Sequence, residues 1–224
     1  ELKDGQTNTI IAASFTDLAS DGNVSIANLV KTTNLEEGAQ IIRYTAAGTH
    51  ETWTLNADKT WRQVTTTVTQ NADGIVTTGT GADPTTTAPT VGEGLWIVRG
   101  DTKPTANAVI ALYGKYSADR TSSYVANKWN LLGNAGTDTY TFATGNVGDK
   151  VVVAKESELR QYEYDATEGW YYPTYTTESV TISEKKQNVV SENKNKETPS
   201  LAPGEGFWYY TTQEGDSLKW KDVQ

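Results

Sequence analysis

Two glutamates in matching surroundings come closest to a catalytic pair in this sequence. Glu93 lies within Gly92-Glu93-Gly94-Leu95-Trp96, and Glu205 lies within Gly204-Glu205-Gly206-Phe207-Trp208. Two carboxylates that flank one bond are the apparatus of glycoside hydrolysis. These two, however, belong to different halves of the chain, and the flanking glycines favour a turn or bulge that leads into a strand. We therefore predict a structural role for both motifs.

Other kinds of catalytic or binding chemistry have little support in the sequence. The chain has no Cys, and His50 is its single histidine, in an expected turn between strands. The sequence shows no catalytic triad with a nucleophile on a strand-to-helix turn, and it shows no glycine-rich phosphate-binding loop. Residues 17–23 are rich in oxygen ligands but lack the pattern of a calcium loop, so they leave open only weak Ca²⁺ binding. We predict no enzymatic activity, no catalytic residue, no cofactor and no metal site.

Charge and composition narrow the classes of partner. The net charge of −9 and the pI near 4.7 argue against nucleic acid, which requires a basic surface. No apolar run approaches the roughly 20 residues of a membrane span. Thr makes up about one residue in six, and Met is absent even at position 1. We expect an exported, extracellular or cell-surface protein whose signal peptide has been removed, with a fragment of a longer chain as the alternative.

Hydrophobic alternation predicts an all-β protein. Short β-rich segments such as Gln40-Ile41-Ile42-Arg43-Tyr44 and Glu51-Thr52-Trp53-Thr54-Leu55 are bounded by turn residues. One short helix is expected near residues 24–30, where apolar residues follow a helical spacing. Residues 70–91 are rich in Thr, Gly and Pro and predict a long loop.

Matched spacings predict an internal duplication. Gly38 and Gly94 are 56 positions apart, and Gly148 and Gly206 are 58 positions apart. We therefore predict two tandem homologous antiparallel domains of β-sandwich or barrel-like form. The first covers residues 1–116 with an insertion at 17–34 and the Thr-rich loop at 70–91. A linker at 117–126 leads to the second domain at 127–224.

The second half carries three short motifs in order, namely Trp129-Asn130-Leu131-Leu132-Gly133-Asn134, Gly169-Trp170-Tyr171 and Gly204-Glu205-Gly206-Phe207-Trp208. This set resembles β-repeats of secreted and cell-surface proteins of Gram-negative bacteria. The first half keeps the last motif but has Ile10-Ile11-Ala12 in place of the first. The resemblance implies a β fold and a surface location and carries no particular activity.

Aromatic residues in the second half are the remaining candidates for binding. Consecutive residues of a strand point to opposite faces, so one member of each aromatic cluster is expected outside the core. We assign Trp61, Trp96, Trp170 and Trp208 to the core. Tyr171, Tyr175 and Tyr209 are then predicted to be exposed, where they could contact either a sugar or another subunit.

These observations predict a structural subunit of a bacterial surface filament, fibre or layer, assembled through strand edges as a homo-oligomer or polymer. The strand expected to pair with a neighbour is N-terminal and comprises Thr7, Thr9, Ile10, Ile11, Ala12 and Ala13. The alternative is a carbohydrate-binding or adhesive module that uses exposed Tyr and Trp, with a glycan as partner.

Overall fold

The structure is a computed structural model, and it is all-β. It describes residue 2 and residues 5–14, 30–32, 35–44, 50–70, 76–82, 89–101, 104–112, 120–155, 158–182, 185–214 and 217–220. Within these ranges there are eighteen strands and no helix. The helix expected near residues 24–30 falls outside the described residues, except that Val30 begins a strand.

The first half of the chain builds one six-stranded antiparallel sheet, which we call the first sheet. Its strand order is β1-β7-β3-β4-β5-β6, and β2 and β8 pair with each other beside it. The strands are β1 (Asn8–Ala12), β2 (Val30–Thr32), β3 (Gln40–Tyr44), β4 (His50–Leu55), β5 (Trp61–Gln70), β6 (Val76–Ala82), β7 (Gly94–Val98) and β8 (Ile110–Leu112).

The second half builds a second sheet with the same connectivity. Its order is β10-β17-β12-β13-β14-β15, accompanied by the small pairs β11–β16 and β9–β18. The strands are β9 (Thr121–Ser123), β10 (Trp129–Gly133), β11 (Tyr140–Thr141), β12 (Lys150–Lys155), β13 (Glu158–Asp165), β14 (Gly169–Ile182), β15 (Lys185–Lys196), β16 (Ser200–Leu201), β17 (Gly206–Tyr210) and β18 (Ser217–Lys219).

Each sheet covers its own hydrophobic core with one face, because apolar residues alternate along its central strands. The first core includes Ile41, Trp53, Leu55, Leu95 and Ile97, all at most 1% exposed. The second core includes Val151, Val153, Tyr162, Phe207 and Tyr209, all at most 7% exposed. Burying a side chain of this size stabilises the fold by about 1.5–3 kcal/mol.

Four tight turns begin central strands, two in each half. In each, the amide of the fourth residue donates to the carbonyl of the first, at 2.8–3.1 Å, and the third residue is a glycine with φ between 81° and 91°. The glycines are Gly38, Gly92, Gly148 and Gly204, with φ of 82°, 83°, 91° and 81°. A positive φ at the third position defines a type II turn and requires glycine there.

Two segments differ from their sequence-based interpretation. The stretch at 70–91, expected to be a loop, contains β6, which pairs with β5 from Val76 to Ala82. The β-branched residues of β6 favour an extended backbone, so this segment pairs with β5 although it contains glycines. The stretch at 117–126, expected to be a linker, contains β9, which pairs with β18 near the end of the second half. That pairing makes β9 part of the second half.

Both halves extend a two-stranded ribbon beyond the sheet. In the second half β14 pairs with β13 only from Gly169 to Tyr171. The next residues, Tyr172–Ile182, pair with β15 alone. Pro173 stands where this separation begins, and it has no amide hydrogen to donate to a ladder. At 3.3 Å per residue the ribbon is about 36 Å long.

Candidate functional site

The two Gly-Glu-Gly motifs build the junction between the halves. Each motif forms a turn, and its glutamate closes the turn from within. The amide of Thr90 donates to Oε2 of Glu93 at 2.9 Å, and the amide of Ala202 donates to Oε2 of Glu205 at 2.7 Å. Both carboxylates are therefore engaged with the backbone three residues earlier in the chain.

Backbone hydrogen bonds link the halves reciprocally. The amide of Ala12 in β1 donates to the carbonyl of Gly204 at 2.8 Å. The amide of Gly133 in β10 donates to the carbonyl of Gly92 at 2.9 Å. Because Ala12 and Gly133 hold matching positions beside β7 and β17, the two bonds are related by a local two-fold arrangement. The edge strands β1 and β10 are thus each hydrogen-bonded to the turn of the other half.

Small residues let the two sheets approach at this junction. A Cβ added to Gly133 would lie 2.3 Å from the Cβ of Ala12. One added to Gly94 would lie 2.5 Å from the carbonyl oxygen of Leu132, and one added to Gly206 would lie 2.3 Å from Cγ2 of Ile10. No side chain fits at such distances, so close approach of the backbones explains the second glycine of each motif.

The tryptophans of the two motifs meet across the same junction. Trp96 and Trp208 pack edge to face, with ring centroids 6.3 Å apart, and both side chains are partly buried. Trp208 also packs edge to face on Tyr44 at 4.5 Å. These residues project from the sheet faces opposite to the cores, because Leu95, Ile97, Phe207 and Tyr209 occupy the core side.

This placement corrects the expected exposure of two tyrosines. Tyr209 is 7% exposed, and its hydroxyl donates to Oδ2 of Asp149 at 3.3 Å. Burial and the nearby Asp149 carboxylate raise the pKa of Tyr209 above its ordinary value. Alternation along β17 does hold, but Trp208 takes the outer face because the opposite sheet covers that face. Core assignment of Trp96 and Trp208 is therefore replaced by a place at the junction.

Tyr171 is also buried, at 7% exposure. Alternation along the strand predicted an exposed Tyr171, because its neighbour Trp170 lies in the core. The ammonium of Lys194 lies 4.6 Å from the centroid of the Tyr171 ring and covers it. The tyrosine hydroxyl is 3.5 Å from Oε2 of Glu163. Of the three tyrosines expected outside, only Tyr175 is exposed, at 64%.

The N-terminal strand expected to pair with a neighbouring subunit is paired inside its own chain. β1 forms an antiparallel ladder with β7 from Asn8 to Ala12. Ile10, Ala12 and Ala13 are at most 2% exposed. Thr7, Thr9 and Ile11 are partly buried. The strand is the edge of the first sheet and lies between β7 and the turn that contains Gly204.

A groove opens beside the junction. Its volume is about 500 Å³, and its walls come from Arg43, Tyr44 and residues 90–93 of the first half and from residues 121–125 and 128–132 of the second half. Arg43 donates through Nε and Nη2 to the carboxylate of Glu93, the latter at 3.2 Å, and lies 3.6 Å from Glu51. Trp129 is 43% exposed at this groove, and Val125 is 36% exposed. The size is that of a ligand site.

No pattern in the amino-acid sequence indicates this groove. Its residues lie far apart in the chain, and only the junction brings Arg43 and Tyr44 to β10. The exposed position of Trp129 could have been suspected, because Leu131 and Leu132 already supply the apolar residues that β10 buries.

In the described ranges no group of three or more His, Asp or Glu side chains is placed to hold a metal ion. The same ranges contain no helix that could cross a membrane. His50 begins β4 and is exposed. Residues 17–23, considered for weak Ca²⁺ binding, lie outside the described residues.

Comparisons with known proteins add no assignment. The chain matches no protein-family model, no curated protein and no solved structure.

Proposed function

We propose that this protein is an exported structural subunit that assembles with copies of itself into a filament, fibre or layer, without catalysis. In this proposal the two halves are homologous tandem domains, each a six-stranded sheet with one projecting ribbon. The matched strand order, turns and glycine positions support a duplication. The resemblance to β-repeats of bacterial surface proteins supports the extracellular location.

The observation that carries the proposal is the ribbon formed by β14 and β15. A two-stranded hairpin alone is only marginally stable in water, so a ribbon about 36 Å long gains from a partner. The described residues from Tyr175 to Ser179 and from Asn188 to Lys196 are exposed. They include Tyr175 at 64%, Val190 at 62% and Val189 at 44% exposure. Long strand edges with apolar side chains promote association between chains.

The ribbon replaces β1 as the proposed assembly element. Release of β1 would break its ladder with β7 and the hydrogen bond from Ala12 to Gly204. It would also expose Ile10, which is 2% exposed in the folded chain. Association through β15 requires no such loss, because its outer edge lies at the end of the second sheet.

Glycan binding is less well supported. The aromatic platform expected from Tyr171, Tyr175 and Tyr209 is reduced to Tyr175, because the other two rings are buried. A single exposed ring on a projecting ribbon lacks the concave surroundings of a ligand site. Among the described residues, the exposed Trp129 at the groove is the remaining aromatic candidate for contact with a sugar.

Light scattering and negative-stain microscopy over a range of protein concentrations test the proposed function. We expect growth into ordered oligomers or polymers. A variant in which residues 175–192 are replaced by Asn-Gly shortens the ribbon and retains the contact of Tyr171 with Lys194. We expect this variant to fold and to remain monomeric. A wild-type chain that stays monomeric at high concentration, or a shortened variant that still polymerises, would contradict the proposal.

A further inference from the structure

The groove runs along the open edge of the second sheet. In the described part of the chain this sheet ends with β10 on one side and β15 on the other. The amide of Gly133 points out of the sheet, since it donates to Gly92 of the first half. Backbone groups alternate in direction along a strand, so those of Leu131 and Trp129 lie on the same edge.

The first half already occupies one end of that edge. Glu93 forms an isolated antiparallel bridge with Leu132, and pairing stops there. The groove is lined beyond this point by residues 128–131 of the second sheet, by residues 121–125, and by Arg43 and Tyr44 of the first half. The groove is therefore a slot in which one further strand can extend the second sheet.

The ribbon offers a strand with suitable properties. β15 lies at the opposite end of the same sheet, and its residues from Asn188 to Lys196 are exposed. Eight large apolar side chains are exposed in the described residues, and five of them lie on these two surfaces. Val125 and Trp129 line the groove, whereas Tyr175, Val189 and Val190 lie on the ribbon.

We infer that β15 of one copy adds to β10 of the next copy, in the groove, and that this contact joins subunits head to tail. The inference rests on the proposed function and specifies its contact. The two surfaces are different, so the interface is heterologous and leaves one free groove and one free ribbon at the ends of every oligomer. Strand addition supplies backbone hydrogen bonds, and the groove supplies pockets for alternate side chains.

Charge supports the same partner. Lys128 is exposed at the groove, and Glu192 is exposed on β15 two residues from Val190. Within residues 188–196 of β15, Lys194 and Lys196 form ion pairs with Asp165 and Glu168 of their own chain. Glu192 is the acidic residue of this stretch, and its charge favours a contact with Lys128 of another copy. A second copy of this chain therefore suits the groove better than a neutral sugar does.

A complementation experiment tests this contact. Val190→Lys blocks the ribbon, and Trp129→Lys blocks the groove. Val147→Lys is the matched control, because Val147 is as exposed as Val190, at 64% against 62%, and lies in a turn outside both surfaces. Sedimentation velocity should show polymer for the control and monomer for each blocked variant. An equimolar mixture of the two blocked variants should form a 1:1 dimer and nothing larger, because each retains one intact half of the interface.

A charge reversal provides a second test, which does not require the protein to fold after Trp129 has been replaced. Lys128→Glu should weaken assembly about fivefold, as expected for one exposed ion pair. Adding Glu192→Lys in the same chain should restore it. Circular dichroism and the unfolding midpoint confirm that each variant is folded.

The outcomes separate the contact from the function. Wild-type polymer with no dimer in the mixture, or polymer from Trp129→Lys alone, overturns the head-to-tail contact and leaves the structural function standing. Wild-type monomer overturns both. A monomer whose tryptophan fluorescence responds to soluble glycans, with loss of the response in Trp129→Lys, assigns the groove to a sugar and overturns strand addition.

Discussion

Gly133 and Ala12 hold matching positions in the two halves and lie against each other, so that a Cβ on Gly133 would come within 2.3 Å of the Ala12 Cβ. The contact lies where β10 and β1 cross near the two Gly-Glu-Gly turns. Equivalent parts of the halves therefore meet each other directly. The junction depends on the absence of side-chain volume at this point.

Gly133→Ala should destabilise the protein, because the new methyl group meets both the Cβ and the Cα of Ala12. We expect a loss of about 3 kcal/mol in the free energy of unfolding, which is the upper end of the range for an added group in a packed core. The control is Gly169→Ala, where φ is 74° and no atom lies within 4 Å of the added Cβ. This control should lower the free energy of unfolding by about 1–2 kcal/mol, which is the backbone strain of alanine at a positive φ. Urea denaturation measures both, and equal losses would contradict close packing at the junction.

Tyr44 and Trp208 should be coupled energetically across the junction. Their rings pack edge to face at 4.5 Å although they belong to different halves. A double-mutant cycle with Tyr44→Leu and Trp208→Leu should give an interaction energy of about 1 kcal/mol, as for other aromatic pairs. Tyr44 and Trp61, which lie on different faces of the first sheet, should give a value near zero. Additive losses for Tyr44 and Trp208 would mean that the contact does not hold the halves together.

Glu93 and Glu205 close equivalent turns but should differ in their contribution to stability. Glu93→Gln removes a carboxylate that is 11% exposed and paired with Arg43, itself 11% exposed. Loss of a charge from a nearly buried pair costs about 3 kcal/mol. Glu205→Gln keeps an acceptor for the amide of Ala202, and we expect a cost within about 0.5 kcal/mol. Thermal unfolding of both variants at neutral pH provides the comparison, and equal costs would rule out a stabilising role for the Arg43 pair.

Glu36 should make stability depend on acid pH. A hydrogen bond from Arg99 lowers the pKa of Glu36 below its ordinary value of 4.5. A lowered pKa in the folded state gives stability that is present above the unfolded-state pKa and is lost as the pH falls through the folded-state pKa. Glu36→Gln should therefore lower the free energy of unfolding by about 2 kcal/mol at pH 7. This value lies between those of exposed and buried ion pairs. The difference from wild type should shrink below about pH 4.5.

Glu37→Gln is the control for this measurement, because Glu37 lies in the same turn and is exposed. Its free energy of unfolding should follow that of wild type across the acid range. A difference between wild type and Glu36→Gln that stays constant down to pH 3 would show that the ion pair with Arg99 is not its source.

Local sequence predicted the strands best where alternation and turn residues agree. β3 occupies Gln40–Tyr44 as expected, and the hairpin through residues 56–59 connects β4 to β5. β6 escaped prediction because Gly79 and Gly81 weaken its strand propensity, and pairing with β5 outweighs that weakness. β9 escaped because its partner β18 lies almost a hundred residues later.

The candidate site was less predictable. The two motifs were expected to lie apart in separate halves, yet the chain brings them together through Ala12 and Gly133. The groove arises from the same junction, as it needs Tyr44 from one half and Trp129 from the other. Contacts between residues so distant in sequence leave no periodic signal.

The amino-acid sequence by itself determined the all-β class, most central strands and the glycine turns, because alternation and positive φ are local requirements. It also determined that alternate residues of β17 face opposite ways. Only the tertiary structure decided that Tyr209 enters the core and Trp208 the junction. The two faces of an isolated strand are equivalent until other parts of the chain pack on one of them. Which face becomes core is therefore decided by contacts from the rest of the molecule.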